Sequence, residues 1–216
     1  MSEANLKGYY TAHVHEYEQA YLKPERQDDL WILRTRLREL LSRQRILEVA
    51  CGTGYWTAAV AEVVEKIVAT DINPAVLEMA KKKTLPLNRV QFLKADAYSL
   101  ANLADNFSAG FAGFWWSHIP RSRLPQFLDA FHARLSPHSL VVFVDNRYVA
   151  GSNHPITRAD AEGNTYQLRQ LANGVPYEVL KNFPAEAELR QALGARACDL
   201  RYEALTYYWC LSYRVN

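Results

Sequence analysis

The sequence contains only three cysteines, Cys51, Cys198 and Cys210, and no long apolar run. An odd number of cysteines without regular spacing argues against a disulfide framework, so we expect reduced thiols. A membrane helix would need roughly 20 apolar residues in succession, and the first ten residues have no apolar core typical of a signal peptide. We therefore expect a cytoplasmic protein that does not associate with membranes.

The sequence also has no excess of charge of one sign. Its 25 lysines and arginines nearly balance 23 aspartates and glutamates, which leaves a formal net charge of +2. A field strong enough to attract nucleic acid is therefore absent, and we expect no nucleic-acid partner. His13 and His15 alternate near the N-terminus, but no third ligand accompanies them, so we predict no metal site.

Short apolar runs alternate with helical patterns over the first two thirds of the chain. The runs at 45–50, 66–71, 90–96, 107–116 and 139–145 predict five buried strands. Between them lie segments with helical spacing, such as the one in which Asn73 and Pro74 form a helix start. Alternation at this spacing predicts right-handed βαβ units and a parallel sheet that is covered on both faces.

The pattern changes after Asp145. Residues 165–180 alternate on either side of Asn173-Gly174, which favours a tight hairpin turn. A helix is predicted from Pro184 to Gly194, and the two strands that follow are too close for a crossover helix, so they must pair antiparallel. The predicted fold class is α/β, with a Rossmann-like seven-stranded, mostly parallel sheet, helices on both faces and a C-terminal antiparallel strand pair.

The stretch ILEVACGTGYW, from Ile46 to Trp56, joins a buried strand to a helix through Gly52 and Gly54. Such a junction presents bare backbone N–H groups and a helix N-terminus to a ligand. Asp71 ends the next strand, where an acidic side chain can accept hydrogen bonds from a ribose diol. The stretch therefore predicts a site for a ligand that contains ribose.

Two features argue against a dinucleotide as that ligand. A dinucleotide fingerprint would have a third small residue at the position of Thr57. Glu48, within the strand, would repel a pyrophosphate but would help to organise a cationic amino-acid group.

These residues resemble a known family. The run from Glu48 to Gly54 resembles motif I of the class I S-adenosylmethionine-dependent methyltransferases, and Asp71-Ile72 resembles their ribose site. Asp96-Ala97 resembles their adenine site. The resemblance covers residues 45–145 and implies S-adenosyl-L-methionine as cofactor and S-adenosyl-L-homocysteine as product. The cofactor-binding residues it implies are Tyr17, Glu48, Gly52, Thr53, Gly54, Trp56, Asp71, Ile72, Asp96 and Ala97.

In this family the methyl acceptor lies at the carboxyl edge of the sheet, beyond the fourth strand. Trp116 is therefore predicted to line the acceptor pocket and His118 to act as general base. Core packing of the tryptophan and a structural hydrogen bond from the histidine are the alternatives. Arg147 is predicted to hold a substrate carboxylate, with a solvated arginine as the alternative. The substrate-binding residues also include Tyr9 and Tyr10.

The prediction is one methyltransferase domain with four parts. These are an N-terminal lid and helix (1–44), the cofactor-binding core (45–145), an insertion with a hairpin that caps the pocket (146–183), and a terminal helix with antiparallel strands (184–216). The lid proper is the tyrosine-rich segment from Leu6 to Leu22.

The predicted function is transfer of a methyl group to an oxygen or nitrogen of a small-molecule acceptor. An RNA or protein methyltransferase is one alternative. A non-catalytic regulator that binds a metabolite on the same fold is the other. We expect a monomer or homodimer.

Overall fold

The computed structural model describes residues 17–101, 103, 106–170 and 174–216. Tyr9, Tyr10, and residues 6–16 of the predicted lid lie outside the described residues. The predicted turn residue Asn173 does so too. Gly174 is described, with a positive φ of 79°.

A seven-stranded sheet forms the centre of the described part of the chain, in the order β3-β2-β1-β4-β5-β10-β9. Strands β1 to β5 are parallel, and β10 pairs antiparallel with both β5 and β9. This arrangement confirms the predicted fold class. The strands span β1 Arg45–Val49, β2 Lys66–Asp71, β3 Val90–Lys94, β4 Phe107–Gly113, β5 Leu135–Asn146, β9 Ala197–Ala204 and β10 Tyr208–Val215.

Helices cover both faces of this sheet. Alternate residues of each strand point to opposite faces, so Ile46 packs in one hydrophobic cluster and Leu47 in the other. The Ile46 face holds α1 and α2, and the Leu47 face holds α4 and α5. The helices span α1 Gln27–Leu40, α2 Tyr55–Val60, α3 Pro74–Ala80, α4 Leu124–His132 and α5 Glu186–Leu193.

A separate three-stranded antiparallel sheet follows β5. It consists of β6 Ile156–Ala159, β7 Thr165–Gln170 and β8 Pro176–Leu180, in that order. The β7–β8 hairpin is the one predicted, whereas β6 was not predicted. The Asn182 N–H donates to the Ser117 carbonyl at 2.7 Å. The small sheet is thereby tied to the chain just beyond the carboxyl end of β4.

Some predicted element boundaries were wrong, and the backbone gives the reasons. The fourth strand ends at Gly113 and does not reach Trp116, because Phe114 adopts a positive φ of 60° and its N–H donates to the Val144 carbonyl. Residues Trp116–His118 then form a 3-10 turn. The third strand ends at Lys94, and the helix predicted from Pro184 begins at Glu186.

No helix among the described residues combines the length and apolar character that a membrane crossing requires.

Candidate active site

The glycine loop, residues 50–54, joins β1 to α2 through a left-handed backbone. Ala50, Gly52 and Gly54 all have positive φ angles, at 54°, 56° and 76°. A Cβ on Gly54 would lie 3.1 Å from the Cβ of Ala80, so a side chain there would be strained by the backbone and would crowd α3. The loop therefore carries little side-chain bulk at the end of β1, and residues 51–54 are buried.

Asp71 ends β2 beside the glycine loop. Its Oδ2 accepts from the Gly52 N–H at 3.0 Å and its Oδ1 accepts from the Asn73 N–H at 2.8 Å. Burial raises the pKa of this carboxyl, although these backbone donors oppose the shift. A carboxylate has about four acceptor sites, so Asp71 keeps capacity for a diol. The next side chain, Ile72, is 43% exposed and offers an apolar surface beside it.

Glu48 lies within β1 and is 1% exposed. Its Oε2 accepts from the Thr57 hydroxyl at 2.6 Å. Burial raises the pKa of Glu48 to about 8, against the effect of that hydrogen bond. A cation placed close to this carboxyl would favour its ionised form, so Glu48 is suited to pair with a positively charged ligand group.

Asp96 follows β3. Its Oδ1 accepts from the Tyr98 N–H at 2.9 Å. Among the described residues, no group donates a hydrogen bond to Asp96 Oδ2, and no group accepts one from the Ala97 N–H. A carboxylate oxygen and a neighbouring N–H can together accept from and donate to the edge of a purine ring.

Residues 17–21 form a 3-10 turn that lies over the glycine loop. The Thr53 hydroxyl donates to Glu18 at 2.7 Å, and Glu18 also pairs with Lys83 at 2.7 Å. Tyr21 stacks on Tyr55 with ring centroids 3.8 Å apart. The turn thus joins the loop through both polar and aromatic contacts. Tyr17 begins this turn, and its side chain is outside the described atoms.

Trp56 is buried in α2 directly after the glycine loop. Its indole N–H donates to the Tyr21 hydroxyl at 3.3 Å, and its ring stacks near Phe114. These contacts support the loop from within the core. Trp56 thereby couples the covering turn to the end of β4.

Trp116 packs edge-on against Phe143 and Trp209 and is buried. The part of it that is accessible lines a cleft of about 210 Å³ between the turn after β4 and the two helices α4 and α5. The neighbouring Trp115 is half-buried against Tyr98, and its indole N–H has no acceptor among the described residues.

His118 is buried, and its Nδ1 lies 2.8 Å from the Leu180 carbonyl oxygen, with which it shares a hydrogen bond. Burial lowers its pKa well below the usual value, and the charges of Lys181 and Arg169 add to that shift. A histidine that stays neutral in this way can accept a proton only weakly. The geometry assigns the ring a clear structural contact with the small sheet.

We expect the His118 imidazole to remain mostly neutral at pH 6.5, where an unperturbed histidine is half protonated. Its folded pKa lies below its unfolded pKa of about 6.5, so the unfolded state binds the proton first and stability falls as pH drops below that value. Two-dimensional NMR of the histidine ring protons across a pH series would measure the titration midpoint of His118. The His118→Gln variant, which lacks these ring protons, identifies the signal that belongs to His118. A midpoint near 6.5 would contradict the buried placement.

Arg147 lies at the surface after β5. Its backbone N–H donates to the Tyr207 carbonyl at 2.8 Å, and its guanidinium donates to the Leu205 carbonyl. The structure therefore directs the side chain to the β9–β10 turn and does not bring it to the other predicted site residues.

A buried polar group that was not predicted lies where β4 and β5 end. Asp145 accepts from both the N–H and the hydroxyl of Ser117 at 2.9 Å, and Lys181 pairs with the same carboxylate at 3.3 Å. Lys181 also donates to the Ser117 hydroxyl at 2.6 Å. Burial lowers the pKa of Lys181 to about 8, which Asp145 partly opposes. No local pattern marked Lys181, because it lies 36 residues from Asp145 in the chain.

Residues 46–138 match the family model described as "Methyltransferase domain". A "Demethylmenaquinone methyltransferase" of Clavibacter sepedonicus is 34% identical over 104 residues, which cover 47% of this chain and 42% of that protein. The chain thus spans less than half the length of this curated relative.

Two solved structures share the fold over nearly the whole chain. The structure described as "DhpI-SAH complex structure" is 23% identical, with a TM-score of 0.80 and coverage of 100% of this chain and 99% of its own. The one described as "DhpI-SAM-HEP complex" is 22% identical, with a TM-score of 0.81 and coverage of 99% of both chains.

Proposed function

We propose that this chain, whose residues 46–138 match a methyltransferase domain, is a class I S-adenosylmethionine-dependent methyltransferase that transfers the methyl group of that cofactor to an oxygen or nitrogen of a small molecule. The observation that carries the proposal is the convergence of three carboxylates and a glycine loop. Glu48, Asp71 and Asp96 stand at the neighbouring carboxyl ends of β1, β2 and β3, and residues 50–54 lie between them.

Each part of the cofactor has a matching group in this arrangement. Asp71 would accept from the ribose hydroxyls with the lone pairs that Gly52 and Asn73 leave free. Asp96 would accept from the exocyclic amine of adenine, the Ala97 N–H would donate to the ring, and Ile72 would contact its apolar face. The donors and acceptors of these residues therefore match those of the adenosine portion of the cofactor.

The methionine portion carries an ammonium group and a sulfonium. Glu48 is a buried acid in the strand that leads into the glycine loop, and it would release its proton if the ammonium paired with it. Gly52, Thr53 and Gly54 keep the main chain open where this portion passes. Bound in this way, the cofactor supplies an electrophilic methyl group.

The protein contributes to the reaction mainly by position. Methyl transfer requires in-line approach of an acceptor lone pair, and orientation of the two reactants can lower the barrier by several kcal/mol. We place the acceptor beyond the carboxyl ends of β4 and β5, at the cleft that Trp116 lines and near the polar group of Ser117, Asp145 and Lys181. His118 is close to this region. Its proposed role as base requires the neutral imidazole, but its lowered pKa makes that imidazole a weak proton acceptor.

We propose that the N-terminal segment, including residues 17–22, is a lid over the bound cofactor. Its turn already contacts the glycine loop through Glu18 and Thr53. Because a terminal element gains contacts from a ligand beneath it, S-adenosylhomocysteine should slow hydrogen exchange at residues 17–22 more than in β4. Equal protection with and without ligand would identify a permanent structural turn.

Incubation with S-adenosylmethionine labelled in its methyl group tests the activity. With a fractionated metabolite extract, the wild type should transfer label to a small product, and Asp71→Ala should transfer far less. Asp199→Asn, on the exposed face of β9, should match the wild type. Label on RNA or protein would favour those acceptor classes. Cofactor binding without transfer to any fraction would favour a non-catalytic regulator.

A further inference from the structure

Cationic side chains from three separate elements converge beyond the end of β5. Arg26 comes from the segment before α1, Arg169 from β7 and Lys181 from the end of β8. We refer to Arg26, Arg169 and Lys181 as the cationic cluster. It lies on the acceptor side of the proposed active site, because Lys181 contacts Ser117 directly.

Arg26 is 5% exposed and has no carboxylate partner among the described residues. It donates to the Ser152 hydroxyl at 2.8 and 3.0 Å and to the Asn146 amide oxygen at 3.3 Å. The Ser152 hydroxyl in turn donates to Glu25 at 2.9 Å. The guanidinium also lies over the rings of Tyr207 and Tyr208, with centroids 5.3 and 5.5 Å away. Neutral oxygens and aromatic faces therefore surround this buried charge, and an anion could still pair with it.

Arg169 and Lys181 face the same region from the small sheet. Gln167 and Arg169 share one face of β7, and Arg169 donates to the Gln167 amide oxygen at 3.0 Å. Gln167 in turn donates to the His154 carbonyl at 2.7 Å, so this face turns toward the loop that also carries Ser152. Lys181 is 4% exposed and shares Asp145 with several other donors.

The pKa values of two neighbouring histidines are lowered in part by these positive charges. Burial lowers the pKa of His154, and the charges of Arg169 and Lys23 lower it further. His118 experiences the charges of Lys181 and Arg169 in the same way. Three cations therefore share this region with one buried carboxylate, Asp145, and two histidines that stay neutral. This balance of charge favours a small anion.

We propose that the methyl acceptor carries a compact anionic group, a carboxylate or a phosphoryl group, and that the cationic cluster holds it. This assignment rests on the proposed function. Arginine matches both anions through two parallel N–H donors, and lysine adds a point charge. Charge pairing at the far end of the acceptor would fix the distance between its nucleophilic atom and the sulfonium.

Inorganic phosphate and acetate are the probes for this site, because both display the proposed chemistry. Calorimetric titration of the protein saturated with S-adenosylhomocysteine, at fixed ionic strength, should detect binding of at least one of them. Preference between the two identifies the phosphoryl or the carboxylate form of the group. Arg169→Gln should weaken the binding about tenfold to a hundredfold, as expected for loss of a charged hydrogen bond.

Controls separate the cluster from general electrostatics and from the cofactor. Arg201→Gln removes the same charge from an exposed position on β9 and should leave anion binding unchanged. Arg169→Gln should also bind S-adenosylhomocysteine with the wild-type affinity. Arg26→Gln provides a second test at a different element and is expected to act in the same direction.

Two results would overturn the proposal while leaving the proposed function intact. One is wild-type binding of S-adenosylhomocysteine with no binding of either anion. The other is an equal loss of S-adenosylhomocysteine binding in Arg169→Gln, which would assign the cluster to the cofactor's carboxylate. If the wild type does not bind S-adenosylhomocysteine at all, the proposed function fails first, and the acceptor assignment fails with it.

Discussion

Replacing Asp71 with alanine is expected to weaken binding of S-adenosylhomocysteine by about 1.5 to 3 kcal/mol, or roughly tenfold to 150-fold. The variant loses charge-assisted hydrogen bonds to the ribose. It also leaves the Gly52 N–H, now 3.0 Å from Oδ2, without its acceptor, so the glycine loop loses a fixed point. Isothermal titration calorimetry measures the change directly.

The comparison with neighbouring acids makes this prediction specific. Asp71→Asn keeps the shape of the side chain and should lose less than Asp71→Ala. Asp96→Ala should also lose less, because adenine keeps its apolar contact with Ile72. Asp199→Asn should bind as the wild type does. If Asp96→Ala proved the weaker binder, the proposed placement of the adenosine would be wrong.

Replacing Lys181 with methionine is expected to destabilise the fold by about 3 to 5 kcal/mol. The Lys181–Asp145 pair is almost wholly buried, with side chains 5% and 0% exposed. Removing the ammonium leaves the buried Asp145 carboxylate without its direct ion-pair partner, although Ser117 and Asn146 still donate to it. Urea denaturation followed by circular dichroism would give the loss in free energy of unfolding.

A second substitution tests the cause of that loss. In the double variant Lys181→Met, Asp145→Asn the buried charge is absent, so much of the stability should return. Lys66→Met, at an exposed position in β2, should change the free energy of unfolding by only about 0.5 kcal/mol. A loss for Lys181→Met no larger than for Lys66→Met would show that the pair is effectively solvated.

The sequence predicted the main sheet because the relevant signals are local. Each apolar run and each glycine lies within a few residues of the element it defines, and strand spacing then limits the topology. β6 escaped prediction because all four of its residues are exposed and show no alternation of burial. The end of β4 was misplaced because Phe114 continues the apolar run while its positive φ ends the strand.

The cofactor side and the acceptor side of the candidate site differ in how local their sequence signals are. The glycine loop directly follows β1 and Asp71 ends the neighbouring β2, so a local sequence motif could predict both. The acceptor side depends on residues far apart in the chain, such as Arg26 and Asn146, which are 120 positions apart. Arg147 looked better placed because it directly follows β5, yet its guanidinium turns to the Leu205 carbonyl.

Calorimetric titration of the wild-type protein with S-adenosylhomocysteine tests the central claim most directly. The account predicts saturable binding with one ligand per chain, abolished or strongly weakened in Asp71→Ala and unchanged in Asp199→Asn. The titration is run at two temperatures, so that a binding enthalpy of zero at one of them is not mistaken for absence of binding. If no binding heat appeared at high micromolar ligand at either temperature, the assignment of residues 50–54 and the three carboxylates to the cofactor would be contradicted.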